Sequence, residues 1–176
     1  MRPIGVGVVL LGLAAGCGSP ETSGTQSGYM EAQWTGADTG AVSVPAIAEW
    51  CEDRRLLEIR AVAGDTGVAL AVFPSVILSA DSYRVVAATD STAPSARVAL
   101  RLFAPTAIKG FQGDSGHVVL ARADSGDLTG TFEARARSVT NTDRVTVRGS
   151  FRNLEIVPAM RGCDPDSEPG DTVDVD

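Results

Sequence analysis

The chain has 176 residues, 44% of them apolar, 21% charged and only 5% aromatic, and a net charge of −7. That length suits one domain, and the apolar share is too high for a disordered chain. Fifteen basic residues against 22 acidic ones supply no basic face for phosphates, which argues against a nucleic-acid partner.

In chain order, Arg2 is followed by an apolar stretch of 12 residues, Ile4 to Ala15. A bilayer-spanning helix needs about 20 residues, so the stretch reads as the core of a signal peptide, 1–16. Glycines at 5, 7, 12 and 16 weaken any reading as a buried helix. The stretch ends in Leu13-Ala14-Ala15-Gly16-Cys17. This resembles the signal peptides of bacterial lipoproteins, whose lipobox places small residues before a cysteine. Ala14 stands where that family more often has Leu. The resemblance implies that Cys17 receives a thioether-linked diacylglyceryl group, that cleavage precedes it, and that the new amino group is acylated, palmitate being a typical acyl chain. Two or three chains make such an anchor effectively stable. Residues 17–28 are then the lipidated cysteine and a Gly/Ser/Thr/Pro-rich tether. Gly18 and Ser19 lack the Asp that retains enteric relatives in the inner membrane. An outer-membrane location in the cell envelope follows if the source is Gram-negative.

From residue 29 onward short alternating segments recur, separated by Gly/Asp/Ser/Thr turns. The pattern predicts strands at 29–35, 45–51, 56–63, 67–73, 83–88, 97–104, 107–112, 117–123, 128–139 and 144–156. Turns are expected at 36–40, 64–67, 94–97, 113–116, 124–127 and 140–143. The stretch 44–60 contains good helix formers. Leu57, Ile59 and Ala61 nevertheless alternate with Glu58, Arg60 and Val62, which predicts two strands with a turn at Glu52–Arg55. The segment 117–156 is expected to form a three-stranded meander. It buries Phe132 and Phe151 and turns Arg135, Arg137, Arg144, Arg148 and Arg152 to water, with Glu133, Thr131 and Thr146 interleaved. Trp34 and Trp50 read as core anchors. The large Ala and Val share implies a thin core.

The last 13 residues hold six acids and no base, so the region 29–163 keeps 15 acids against 14 bases. Acidity belongs to the tail, 164–176, expected to be disordered. With Cys17 lipidated, Cys51 and Cys163 remain as a disulfide pair in an oxidising compartment. Zinc would need about four ligands, and His117 is the only histidine.

Two motifs suggest chemistry and fail on their partners. Gly113-Asp114-Ser115-Gly116 resembles the nucleophile motif of trypsin-like proteases. That mechanism needs a distant histidine held by a buried Asp, whereas His117 lies two residues from Ser115. Asp38-Thr39-Gly40 and Asp65-Thr66-Gly67 resemble the aspartic-protease triplet, which needs two Asp across a symmetric cleft. Asp114-Ser115-Gly116 and Asp124-Ser125-Gly126 repeat the pattern, which points to turn chemistry. No phosphate loop or dinucleotide fingerprint is present. His117 reads as a surface or strand-edge residue.

The expected fold is all-β, an antiparallel sandwich of about eight to ten strands over 29–163, with a small closed barrel as the alternative. In outline it is similar to the mycobacterial 19-kDa lipoprotein antigens. The expected function is that of a non-enzymatic envelope lipoprotein, attached to the membrane through its N-terminal lipid. It presents a β-domain to an envelope protein or glycan. The runner-up is a barrel carrier of a small apolar ligand, and the third reading a hydrolase with an unrecognised site. No catalytic residue, cofactor or metal is assigned.

Overall fold

Alternating burial runs through almost every strand. Leu57, Ile59 and Ala61 point inward from one, Val68, Leu70 and Val72 from the next, and Phe132, Ala134 and Ala136 from a third. A computed structural model of the chain describes residues 28–90, 92–104, 106–123 and 126–159. The expected signal peptide 1–16, Cys17 with its tether as far as Ser27, Cys163 and the tail 164–176 lie outside those residues.

The strands are β1 (Tyr29–Gly36), β2 (Gly40–Cys51), β3 (Leu56–Ala63), β4 (Thr66–Phe73), β5 (Ser82–Arg84), β6 (Ser95–Ala104), β7 (Ala107–Arg122), β8 (Leu128–Ser138), β9 (Arg144–Leu154) and β10 (Ile156–Pro158). Their order is β1-β9-β8-β7-β6-β4-β3-β2, and β1 also pairs with β2. The sheet therefore closes on itself as an eight-stranded antiparallel barrel. β5 lies against β7, and β10 runs parallel to β2.

The all-β expectation holds, but the sandwich is corrected to the closed barrel. Two strands make the difference. β2 pairs with β1 through Gly40–Pro45 and with β3 through Ala46–Cys51. β7 pairs with β6 through Ala107–Gln112, and its contacts with β8 run from Phe111 to Arg122. Each passes from one face of the molecule to the other, so two would-be sheets share both strands and have no separate edges. Pro45 sits at the crossing in β2. Ala46 N donates toward β1, to Gly28 O, so by alternation the N–H that Pro45 lacks would have pointed to the β3 side, where the β2–β3 ladder has ended. A proline leaves no orphan donor there.

The corner in β7 lies at Gly113-Asp114-Ser115, a register shift inside one continuous strand. The turn expected at 113–116 is therefore a bulge, which bends and re-aims a strand without ending it. Gly116 has φ +129 and lies against the Glu133 carbonyl, where a Cβ would collide.

Barrel curvature is supported by aromatic rings laid over glycines on the neighbouring strand. Gly130 faces Phe151 and Phe132 faces Gly149 across β8–β9, while Trp34 faces Gly40 across β1–β2. A Cβ on any of these glycines would fall on the opposing ring. Phe132 and Phe151 are 2% and 1% exposed, and the five arginines of the meander are exposed, as the alternation predicts. Glu133 and Thr146 do interleave, opposite Arg148 and Arg135, whereas Thr131 faces Ser150 and, next to the β8–β9 turn, Arg137 faces Arg144 directly. Strand β5 is shorter than expected, the expected strand 144–156 ends at Leu154, and β2 begins five residues earlier, at Gly40. The turn between Cys51 and Leu56 falls where the sequence places it, with Arg55 at φ +47.

Candidate functional site

The protease-like motifs are not assembled. Ser115 and His117 both stand on the outer wall, exposed. Ser115 Oγ donates to its neighbour Asp114 Oδ1 at 3.0 Å, and His117 faces Arg84 and Glu133 on the flanking strands. Asp38 lies in the β1–β2 turn and Asp65 in the β3–β4 turn, where its Oδ1 accepts from Thr66 Oγ1 at 3.2 Å. Among the described residues no group of three His, Cys, Asp or Glu is placed to hold a metal ion.

The aspartates instead tie hairpins together at one end of the barrel. Lys109 Nζ donates to Asp38 Oδ2 at 2.8 Å, and Arg144 reaches Asp114 Oδ2 at 3.3 Å. The Lys109 hydrogen bond, then its charge, hold the Asp38 carboxyl below its ordinary value, with the Thr39 N–H and the Trp34 indole adding less and desolvation opposing. Lys109 is raised in turn, first by that hydrogen bond and then by the Asp38 charge. Trp34 Nε1 is buried with no hydrogen bond of good geometry, so its effect on Asp38 is that of a nearby dipole. At the opposite end the Asp90 carboxyl is also lowered, by the Thr92 hydroxyl and then the Thr92 N–H.

That opposite end carries both ends of the described chain. Gly28 enters beside Ala46, and Ala159 N donates to Trp50 O at 3.0 Å as the chain leaves. The turn Glu52–Arg55, the β7–β8 turn and the long β4–β6 connection lie at this same end. Here Trp50, Val76, Ile77, Leu78 and Ile156 line an open cleft of about 650 Å³. Leu78, Trp50 and Ile156 are partly buried against the core, whereas Val76 and Ile77 are 71% and 74% exposed. The segment is pinned: Tyr83, itself buried, donates its hydroxyl to Ser79 O at 3.1 Å and accepts from Ser79 N at 3.3 Å. Trp50 is thus no interior anchor like Trp34 but a rim residue, its indole N–H given to Glu52 Oε2 at 2.5 Å.

No family model matches this chain, and no curated protein or solved structure matches it significantly. The site's chemistry therefore rests on its own residues. Cys51 is buried at the end of β2, beside this cleft, while Cys17 and Cys163 lie outside the described residues.

The Val76–Leu78 segment was not singled out by sequence reasoning. The signal was present: Pro74-Ser75-Val76-Ile77-Leu78 puts three apolar residues in a row within a turn-rich stretch, with no alternation to make it a strand. The barrel wall is the reverse of a membrane-spanning one. Exposed Glu31, Arg60, Arg101, Glu133, Arg135 and Arg148 face outward and apolar side chains inward, where a spanning barrel turns an apolar band to lipid. Among the described residues no helix is long and apolar enough to cross a membrane.

Proposed function

We propose that this chain is a cell-envelope lipoprotein whose barrel is a filled, non-enzymatic scaffold held at a membrane by lipid on Cys17. It acts through its outer surface on an envelope protein or glycan. The observation that carries this reading is Leu13-Ala14-Ala15-Gly16-Cys17 at the end of a 12-residue apolar stretch, with the first barrel strand beginning 12 positions beyond the cysteine at Tyr29. A filled interior supports a scaffold over a carrier of an apolar ligand. Met30, Trp34, Leu57, Leu70, Phe111, Phe132 and Phe151 all occupy the barrel core at 5% exposure or less. We also propose that Cys51 pairs with Cys163. Its support is that the chain passes Trp50 at Ala159, four positions before Cys163.

The test is metabolic labelling with an alkyne analogue of palmitate, followed by detergent phase partitioning. The native chain is expected to take up label and enter the detergent phase. Cys17→Ala is expected to lose both properties and remain folded in the aqueous phase. Label or detergent partitioning retained by Cys17→Ala refutes the anchor.

A further inference from the structure

We propose that the end of the barrel bearing both chain ends rests on the lipid bilayer itself, with Val76 and Ile77 inserted among the acyl chains and Trp50 at the headgroup level. The proposal rests on the Cys17 anchor. From an acylated Cys17, the 11 positions to Gly28 span at most about 40 Å, so the anchor holds the end where the chain enters the barrel within reach of the membrane surface. What it holds there is suited to that surface. Two large aliphatic side chains project from a connection that belongs to no barrel strand, more than two-thirds exposed. The Tyr83 hydroxyl fixes the turn that follows them, so their presentation needs no ordering on contact. Trp50 lines the same cleft, half-buried, with an apolar ring and a polar N–H, the combination that concentrates at membrane interfaces. The rim is electrically mixed. Glu52, Asp53 and Glu155 stand beside Arg54, Arg55 and Arg122, all exposed. Attraction to anionic lipid is therefore not the source of contact, and a neutral phosphatidylcholine surface is the matching partner.

The two tryptophans make the chain its own ruler, because Trp34 is buried near the other end. The lipidated full chain is reconstituted into phosphatidylcholine vesicles with or without bromine on the acyl chains, and flotation is scored on the same samples. Bromolipid is expected to reduce Trp50 emission about twofold, as for an interfacial indole. Trp50→Phe, which reports Trp34 alone, is expected to show almost no quenching. Val76→Asp combined with Ile77→Asp should abolish the quenching while the protein still floats. Ile108→Asp, the same change at the opposite end, should leave it intact. Thermal unfolding of the double variant at the native temperature shows that the fold survives. A chain that floats without Trp50 quenching, or whose quenching survives the double substitution, overturns the docking and leaves the anchor standing. A chain that does not float overturns the anchor and the docking with it.

Discussion

At the end where Gly28 enters and Ala159 leaves, the barrel is shut by apolar side chains, Leu78, Trp50 and Ile156 packing onto the core beneath Val76 and Ile77. At the far end the β1–β2 turn, the β6–β7 hairpin, the corner of β7 and the start of β9 are linked by charge, through Asp38–Lys109 and Asp114–Arg144. The far end exposes Val62, Phe103, Ile108 and Val139 as well, and of these Phe103 and Ile108 belong to the β6–β7 hairpin that Lys109 ties to Asp38. The same closed barrel thus has one end capped by apolar packing beneath an open cleft with a charged rim and one where ion pairs tie the turns together in contact with water. Packing contributes stability wherever it occurs. An apolar side chain left in water on a pinned segment contributes little to folding. Ion pairs with half their surface wet contribute little as well.

The largest expected effect tests whether the two ends share one interior. Phe151→Ala, in the half near the chain ends, and Trp34→Ala, near the far end, should each cost about 3–5 kcal/mol in urea unfolding. A loss below about 1 kcal/mol at either position would mean that the core is not continuous between them. Next in size is the covalent tie expected only at the end bearing both chain ends. Cys51→Ala and Cys163→Ala should each lower stability by about 2–5 kcal/mol, and the exported native chain should show neither thiol free in a thiol assay. Two reactive thiols would remove the tie from the comparison.

Lys109→Met sharpens the far end. The pair is half wet, with side-chain exposures of 53% and 26%, so the expected cost at neutral pH is small, that of an exposed ion pair. Its pH dependence has a definite sign. The folded Asp38 carboxyl is lowered, so its share is present above the ordinary carboxylate range and is lost as pH falls through the lower folded value. Folded Lys109 is raised, so its share is present below the ordinary lysine range and is lost as pH rises through the higher folded value. The difference between native and Lys109→Met stability should be flat around neutrality and shrink at both extremes. A difference that grows on acidification contradicts the pairing. The smallest effect is expected from Val76→Ser with Ile77→Ser, within about 0.5 kcal/mol of native stability. A larger loss would make the segment part of the core and not a surface.

What the sequence determined by itself was everything carried by local pattern. Period-two alternation is a property of neighbours along the chain, so the strands around Leu57–Ala61, Val98–Leu102 and Phe132–Ala136 were legible, as were the buried Phe132 and Phe151 and the arginines opposite them. The lipobox at Leu13–Cys17 is equally local, and the proposed anchor comes from it alone. Tertiary structure decided what depends on partners. A strand that serves one sheet and a strand that serves two have the same alternation, so nothing in Gly40–Cys51 except Pro45 distinguished a barrel from a sandwich. Gly113-Asp114-Ser115-Gly116 has the composition of a turn. Only the pairing of β7 with β8 on both sides of it made it a bulge, because turn and bulge make the same demand on small and polar residues and differ in whether the ladder continues. Trp50 and Trp34 look alike as isolated tryptophans. One became a rim residue and the other a core residue because of which end of the barrel each strand position occupies. The cleft brings Trp50 together with Val76 and Ile77, and with Ile156 more than a hundred positions further along the chain from Trp50, distances over which no periodicity reports.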